Sequence, residues 1–146
     1  MANNKNIYVD MVGDLFHANH VKLFKEARTF GNNLLVGIHS DETVQKYKCT
    51  PILTMDERAE VISSCKYIDK IILNAPEIIT EEYLNLYNID LVIHAHNEDE
   101  VKYNKMYENV IKLNKFKRID YHEGISTTEI KRRVVEQHSI ECNKYV

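Results

Sequence analysis

Apolar residues recur along this chain in five short runs, and each run is followed by a segment of helical character. The runs read as strands because they are rich in Val, Ile and Leu, and several contain no polar interruption. They cover residues 6–12, 33–39, 69–73, 90–95 and 116–121. Unbroken apolar strands are typical of a sheet that is covered on both faces.

Amphipathic segments alternate with these strands, and several carry start or stop signals. The first segment ends near Gly31, a residue type that often follows a helix. Thr54 and Ser126 each stand three positions before a glutamate, which is the spacing of a capping box. The first predicted helix covers residues 21–30 and the fourth covers about 104–114. The second, third and fifth begin after Thr54, Thr80 and Ser126.

The alternation of strand and helix five times over predicts an α/β fold. We expect a Rossmann-like parallel five-stranded sheet with helices on both faces and right-handed crossovers, in one domain over residues 1–146. In such a sheet, ligands bind beyond the carboxyl ends of the strands. The stretch DLFHANH follows the first strand and GISTT follows the last, so both are predicted to lie at that edge.

Composition narrows the class of protein further. The chain has 146 residues, of which 44% are hydrophobic, enough for a core without disulfides. Its net charge of -3 argues against a nucleic-acid binder. Because no run is long enough to cross a bilayer, no signal peptide is evident and the cysteines number only three, we expect a cytoplasmic protein.

Two histidines, His17 and His20, stand three residues apart where the first helix is predicted to begin. On a helix they share one face near the N-terminus, where free amides and the positive end of the dipole also point. Imidazoles added to that end make a site for phosphate oxygens. Two surface histidines, or one that caps the helix, explain the pair equally well. A zinc site is disfavoured because no third ligand has convincing spacing.

Four motifs in order support the phosphate interpretation. They are YVDMVGDLFHANH, KYKCTPILTMDERAEVI, YIDKIILNAPEIITEEYLNLYNIDLVIHA and YHEGISTTEIKRRV. The first resembles the HxGH signature of the cytidylyltransferases, the family that couples CTP to alcohol phosphates. The second is similar to that family's lysine segment and Glu-Arg helix start, the third to the segment leading into the fourth strand, and the last to the RTEGISTT signature. The resemblance covers about residues 7–135.

This resemblance implies a role for each matching residue. The implied catalytic residues are His17, His20 and Lys48. The implied nucleotide-binding residues are Asp14, Lys46, Ser126, Thr127, Thr128 and Arg133. The histidines would hold the CTP phosphates, and the lysine would stand between two anions that must touch. The resemblance also implies magnesium with the CTP, direct attack by the substrate phosphate, and a homodimer.

Ordinary structural roles stay open for the same residues. Lys46 and Lys48 are explained as well by a solvated loop. Ser126 fits a plain N-cap, which is compatible with phosphate binding by its neighbours. Arg133 reaches either a phosphate or a structural carboxylate, and Arg58 of the Glu-Arg pair fits a salt bridge.

Departures from the family pattern all fall on the predicted ligand edge. Asn19 replaces the glycine between the histidines, and asparagine tolerates unusual backbone angles. Tyr121 replaces an arginine that meets phosphate, so a charge is missing unless Arg118 or Lys117 folds back. The remaining departures are Met11 for glycine, Gly13 for phenylalanine, His122 for threonine, and HAHN (94–97) for glycine and acidic residues. Because they lie at the ligand edge, these departures affect the expected turnover rate and the preference for the nucleotide base more than the expected fold.

Three segments of the chain resemble the ethanolamine- and choline-phosphate enzymes more than the glycerol-phosphate enzymes. They are NAPEIIT, YNIDLVIHA and MYENVIKLNKF. An ammonium head group requires carboxylates or aromatic faces, for which Glu77, Glu81, Tyr83 and Tyr107 are candidates. The sequence shows no C-terminal amphipathic membrane helix of the choline type, which favours phosphoethanolamine. Phosphocholine and glycerol 3-phosphate are the alternatives.

Two further functions are consistent with the sequence. A nucleotide-binding module that kept the fold and lost turnover would explain the missing arginine at Tyr121. A nucleotidyltransferase with another base preference, such as ATP, would share the histidine signature. A panel of alcohol phosphates with CTP and ATP distinguishes the three.

Overall fold

The structure is a computed structural model that describes residues 4–96 and 100–144. Its strands are β1 Asn6–Met11, β2 Asn33–Ile38, β3 Lys70–Leu73, β4 Leu91–Ala95 and β5 Phe116–Ile119. Its α-helices are α1 Ala18–Ala27, α2 Asp41–Gln45, α3 Met55–Ser63, α4 Glu81–Leu86, α5 Glu100–Met106, α6 Glu108–Lys112 and α7 Thr127–Lys144. A short 3-10 turn over Arg28–Phe30 continues α1.

The strands form one parallel sheet in the order β3-β2-β1-β4-β5, which confirms the predicted fold class. β1 lies at the centre, with Met11 opposite Ile38 of β2 and Tyr8 opposite Val92 of β4. The chain proceeds from β1 outward to β3 on one side and then returns to build β4 and β5 on the other. The strand order therefore reverses beside β1, and a crevice opens there at the carboxyl edge.

Two apolar cores cover the two faces of the sheet, as alternation along a strand requires. One core packs Val9 and Val36 of the sheet against Phe24 of α1 and Ile62 of α3. The other packs Tyr8 and Leu35 against Leu84 of α4 and Val110 of α6. All eight side chains are buried, and each contributes roughly 1.5–3 kcal/mol through removal from water. The prediction of helices on both faces is confirmed.

The helices differ from the prediction in two places. The segment predicted over about 104–114 is two helices, α5 and α6, and the break falls at Tyr107. The Tyr107 hydroxyl is drawn into the core, where it donates to Asp10 at 2.7 Å. The short helix α2 was not predicted; the Ser40 hydroxyl caps it by accepting from the Thr43 amide.

The capping signals in the sequence mark two real helix starts. Thr54 and Glu57 form the complete reciprocal box at the start of α3. At α7 the Ser126 hydroxyl accepts from the Glu129 amide at 3.0 Å, while the Glu129 carboxylate accepts from Arg132 and Arg133. Within the described residues, none of the helices combines the length and apolar character needed to span a bilayer.

Candidate active site

A cavity of about 490 Å³ occupies the crevice at the carboxyl edge of the sheet. Its walls come from the ends of β1 and β4, the first turn of α1, the loop after α2 and the start of α7. Seven of the nine predicted site residues line it: Asp14, His17, His20, Lys48, Ser126, Thr127 and Thr128. Residues more than 100 positions apart in the sequence therefore face one space.

Backbone hydrogen bonds determine which nitrogen of each histidine faces the cavity. His17 is the N-cap of α1, and its Nδ1 accepts from the Asn19 amide at 3.2 Å. The Nδ1 of His20 accepts from the His17 amide at 3.2 Å. Since both Nδ1 atoms act as acceptors, each neutral ring carries its proton on Nε2. The capping role and the binding role left open by the sequence are thus compatible.

The histidines are held as neutral donors. Their rings stack with centroids 3.7 Å apart. Burial lowers the pKa of His17, and burial together with the nearby His17 lowers the pKa of His20 to about 3. Both imidazoles therefore offer an N–H to a phosphate oxygen at neutral pH without the cost of burying a charge.

Asp14 organises the loop that carries Lys48. Its two carboxylate oxygens accept from the amides of Ile52 and Leu53, at 2.8 and 3.0 Å. Its carbonyl oxygen accepts from the Thr127 hydroxyl at 2.9 Å, which joins the start of α7 to the same loop. These contacts show Asp14 holding a loop, and nucleotide contact by Asp14 stays a prediction.

Lys48 lies on the cavity wall, although much of its side chain stays exposed. Crowding by neighbouring atoms and the charge of Lys102 lower its pKa. A lysine in such a position is a point charge that can approach two phosphate groups. It is thus placed to offset repulsion inside the cavity.

The structure does not bring Lys46 and Arg133 to this cavity. Lys46 is exposed at the end of α2, and the guanidinium of Arg133 is bound to the Glu129 carboxylate at 2.9 Å. Lys131, two residues before Arg133, lines the cavity instead. Nucleotide contact by Lys46 and Arg133 stays a prediction, and Lys131 is a cation that the sequence analysis missed.

Arg58 is buried completely and serves the scaffold around the cavity. Its guanidinium donates to the Asp41 carboxylate at 2.6 Å and to the carbonyl oxygens of Val12, His39 and Leu53. These contacts join the ends of β1 and β2 to the start of α3. The salt-bridge alternative is confirmed for this residue.

The departures from the family pattern have local explanations at two positions. Gly13 adopts φ of +69°, and a Cβ there would meet the Ile62 side chain at 2.4 Å, so phenylalanine does not fit this loop. Met11 packs beside the core and also lines the cavity. Of the segment 94–97, position 97 lies outside the described residues.

The missing arginine at Tyr121 is not replaced by either candidate named from the sequence. Tyr121 lines the cavity. Arg118 donates to the carbonyl oxygen of His96, and Lys117 lies over the Phe30 ring at 5.2 Å. Among the described cavity residues the cations are Lys48 and Lys131.

A polar cluster lies behind the cavity and was not predicted. It consists of Asp10, His39, His94 and Tyr107, and it borders a second space of about 70 Å³. We call it the strand end of the site, since three of its members stand on or directly after β1, β2 and β4. We call His17, His20 and Ser126–Thr128 the helix end. Asp10 and His94 line both cavities.

The strand end holds a buried negative charge. Burial would raise the pKa of Asp10, but its contacts with His39, His94 and Tyr107 lower it overall. His39 Nε2 lies 3.4 Å from its carboxylate, and the Tyr107 hydroxyl donates to it while contacting His94 Nδ1 at 3.0 Å. Burial lowers the pKa of His94 to about 4. The sequence signal that could have revealed this cluster is a polar residue at the end of each apolar strand, namely Asp10, His39 and His94.

Of the residues proposed from the sequence for an ammonium group, Tyr107 borders the second space. Glu77, Glu81 and Tyr83 stand elsewhere, outside both cavity walls as the described residues form them. The site thus combines neutral N–H donors, hydroxyls and a lysine at one end with a buried carboxylate at the other. Such an arrangement suits a ligand that carries phosphates and a cationic group.

Comparison with known proteins agrees with this chemistry. The cytidylyltransferase-like family model matches residues 13–133. The chain is 37% identical over 130 residues to an ethanolamine-phosphate cytidylyltransferase of Dictyostelium discoideum, covering 88% of the chain and 36% of that protein. It is 37% identical over 149 residues to choline-phosphate cytidylyltransferase 2 of Arabidopsis thaliana, covering 96% of the chain and 46% of that protein. The chain thus spans less than half of either relative.

The fold is also similar to that of a solved structure. The lipopolysaccharide core biosynthesis protein of Thermoplasma volcanium GSS1 aligns with a TM-score of 0.67 at 23% identity, covering 82% of this chain and 98% of that one. At this identity the likeness concerns the fold alone. The family match, which includes the histidine pair and the ISTT segment, carries the assignment: the chain belongs to the cytidylyltransferase-like family.

Proposed function

We propose that this protein transfers CMP from CTP to phosphoethanolamine, which yields CDP-ethanolamine and pyrophosphate. The observation that carries the proposal is the gathering of His17, His20, Lys48 and the start of α7 around one cavity. Family membership and relatives named for ethanolamine phosphate support it. The reaction would supply a precursor for phospholipid synthesis.

In the proposed reaction, a phosphate oxygen of phosphoethanolamine attacks the α-phosphorus of CTP. A new P–O bond forms as the bond to the β-phosphate bridging oxygen breaks, and that oxygen leaves with the pyrophosphate. His17 and His20 donate their Nε2 protons as hydrogen bonds to CTP oxygens where charge builds up. Lys48 reduces the repulsion between the two phosphates. No side chain forms a covalent bond.

The start of α7 completes the grip on the triphosphate. Free amides and the Thr128 hydroxyl would bind its oxygens, since a helix N-terminus favours negative charge. The Thr127 hydroxyl is already bound to the Asp14 carbonyl, so Thr127 would contribute its amide. Ser126 caps the helix and so orients those amides. Lys131 would supply part of the charge that Tyr121 lacks.

The strand end favours an ammonium head group over a neutral one. The Asp10 carboxylate would attract a cation, and the small second space beside it suits a primary ammonium that donates hydrogen bonds. Phosphocholine is the second candidate because relatives of similar identity are named for choline phosphate. Glycerol 3-phosphate is the third, and its neutral glycerol gains nothing from the buried charge.

Magnesium is proposed to enter with CTP. The described residues contain no group of three or more side chains placed to hold a metal ion. The Asp14 oxygens accept from amides, and Asp10 Oδ1 accepts from Tyr107. Asp10 Oδ2, 3.4 Å from His39 Nε2, has no hydrogen-bond partner among the described residues. The described part of the chain therefore offers one carboxylate oxygen without a hydrogen bond, fewer ligands than magnesium takes. The ion, when present, would neutralise charge on the nucleotide phosphates, which are its preferred partners.

We further propose a homodimer in the cytoplasm. All three cysteines are unpaired, which suits a reducing compartment. Pairing with a second copy is implied by the family resemblance. Sedimentation of the purified protein would test it, and a monomer at micromolar concentration would contradict it.

The decisive experiment is a panel of phosphoethanolamine, phosphocholine and glycerol 3-phosphate, each with CTP or ATP, scored by pyrophosphate release. We expect the highest kcat/KM with CTP and phosphoethanolamine. A nucleotide-binding module without turnover is the second candidate function, favoured by Tyr121 in place of the arginine. Calorimetric CTP binding without pyrophosphate release from any pair would support that module, and release only with ATP would contradict the CTP assignment.

A further inference from the structure

Asn19 stands between the two histidines, where the family signature has glycine. It is the second residue of α1 and is only 8% exposed, yet it lines the main cavity. A buried amide at the centre of a phosphate site needs an explanation, because buried polar groups are kept where they bind something. Its contacts supply one.

The Asn19 side chain binds the loop that leads from β5 to α7. Its Nδ2 lies 2.7 Å from the carbonyl oxygen of His122, 2.6 Å from that of Ile125 and 3.1 Å from that of Glu123. Three carbonyl oxygens around one atom require a donor, so the NH₂ group faces them. The Oδ1 atom is buried without a hydrogen-bond partner among the described residues. The Asn19 side chain therefore donates to this loop through Nδ2, while its Oδ1 acceptor has no partner among the described residues.

The same residue also holds the histidine pair. Its backbone amide donates to His17 Nδ1, the bond that leaves the His17 proton on Nε2. One residue thus contacts both halves of the helix end, the imidazole on α1 and the chain that becomes α7. By contrast, a Cβ placed at Gly124 in the middle of this loop would find no atom within 4 Å.

Two further contacts also join this region to the segment around α1. Thr127 donates to the Asp14 carbonyl at 2.9 Å, and His122 Nε2 lies 3.1 Å from the Glu26 carboxylate. Both join the loop or the start of α7 to the segment around α1. Asn19 differs from them in being buried and in binding three carbonyls at once.

We propose that Asn19 is a positioning residue that locks the loop 122–125 against α1. The lock fixes the gap between the histidine donors and the start of α7, the two groups that the proposed function assigns to the triphosphate. This inference deepens the proposed function and rests on it for its catalytic consequence. It predicts that this chain depends on an amide at a position where its family signature has no side chain.

The matched pair Asn19→Ala and Asn109→Ala tests the lock. Asn109 is likewise the second residue of its helix, α6, and its Nδ2 donates to the Ile79 carbonyl at 3.1 Å, away from the cavity. We expect Asn19→Ala to raise the KM for CTP about tenfold, because misplaced binding groups lose much of their effect. Asn109→Ala should leave that KM unchanged. If Asn19→Ala does not fold, Asn19→Asp keeps the size of the side chain, removes its donors near neutral pH, and takes its place in both measurements.

Hydrogen exchange separates the lock from the proposed reaction. Without any ligand, Asn19→Ala should speed exchange of the amides in 122–127, and Asn109→Ala should not. This readout decides the lock even if the wild-type protein proves unable to use CTP. Unchanged loop exchange and unchanged KM in Asn19→Ala would overturn the inference, and so would tighter CTP binding, which would mean that the side chain merely crowds the cavity.

Asn19→Asp adds a test that loss of packing cannot mimic. A carboxylate facing three carbonyls would repel the loop, so its loss of CTP affinity should exceed that of Asn19→Ala near neutral pH. Protonation at lower pH restores a donor, so the ratio of Asn19→Asp to wild-type affinity should recover as pH falls. A ratio independent of pH would contradict the lock.

Discussion

The two ends of the site are held in place by different kinds of contact. At the helix end, His17 and His20 are oriented by backbone amides two and three residues away in sequence. At the strand end, Asp10 is held by Tyr107, which is 97 residues away, and by His39, which directly follows the neighbouring strand. The histidine pair of the helix end is therefore a local structure that a short motif can encode, whereas tertiary contacts of Asn19 and Asp14 bring Ser126–Thr128 beside it. The strand end exists only once the sheet has formed.

The difference in construction suggests a difference in task. Neutral N–H groups and hydroxyls at the helix end suit phosphate oxygens, which every nucleotide substrate shares. The buried carboxylate at the strand end suits one class of acceptor. We expect changes at the helix end to affect the rate with all acceptors, and changes at the strand end to alter the choice of acceptor.

Lys48→Ala should have the largest effect, because Lys48 lines the cavity and, in the proposed reaction, offsets the repulsion between the two phosphates. We expect kcat to fall about 10²–10³-fold with every acceptor, the size seen when one charge-stabilising group is removed. Lys46→Ala is the matched control, since Lys46 is exposed and outside the cavity wall. Equal losses in the two variants, measured by pyrophosphate release, would argue against the assignment of Lys48.

Asp10→Asn should have a smaller and more selective effect. The change removes the buried charge with little change in shape, so the KM for phosphoethanolamine should rise about tenfold or more. The KM for CTP should hardly change. If the KM for phosphoethanolamine and the KM for CTP rose together, the strand end and the helix end would not act separately. That result would contradict the division of tasks between them.

Acidification should destabilise the fold through histidines at both ends. Burial holds the pKa of His20 at about 3 and that of His94 at about 4, against 6.5 for an unperturbed imidazole. Between about pH 4 and 6.5 the unfolded chain binds more protons, so the free energy of unfolding falls as the pH drops through that window. The same two groups add no pH dependence above it.

Urea unfolding at several pH values would measure this slope. His94→Gln should flatten it, whereas His138→Gln, at an exposed position on α7, should not. A slope that both variants leave unchanged would count against His94 as a source of acid sensitivity.

The smallest effect is expected for Arg133→Ala. Its guanidinium is bound to the Glu129 carboxylate and stands outside the cavity wall, so the KM for CTP should stay within about twofold of wild type. Lys131→Ala, on the cavity wall, should raise it several-fold. The reverse ranking would restore the nucleotide contact that the motif implied for Arg133.

Much of the fold was predictable because its signals are local. Five apolar runs marked the five strands, and the boxes at Thr54 and Ser126 marked two helix starts. The break at Tyr107 was not predicted, and at this residue the side chain donates to Asp10 on a strand 97 residues away. The hydrophobic pattern around Tyr107 predicts a helix, but it does not indicate that the Tyr107 hydroxyl binds Asp10.

The same division holds for the site. By itself the sequence determined which residues stand at the helix starts, and a motif was enough to place His17, His20 and Ser126–Thr128 together. Only the tertiary structure decided that Lys131 and not Arg133 faces the cavity, that Asn19 holds a loop more than 100 residues away, and that Asp10, His39 and His94 form one cluster. The physical reason is that helix periodicity and capping act over a few residues. Contacts between strands and between loops depend instead on the spatial order of the strands in the complete sheet.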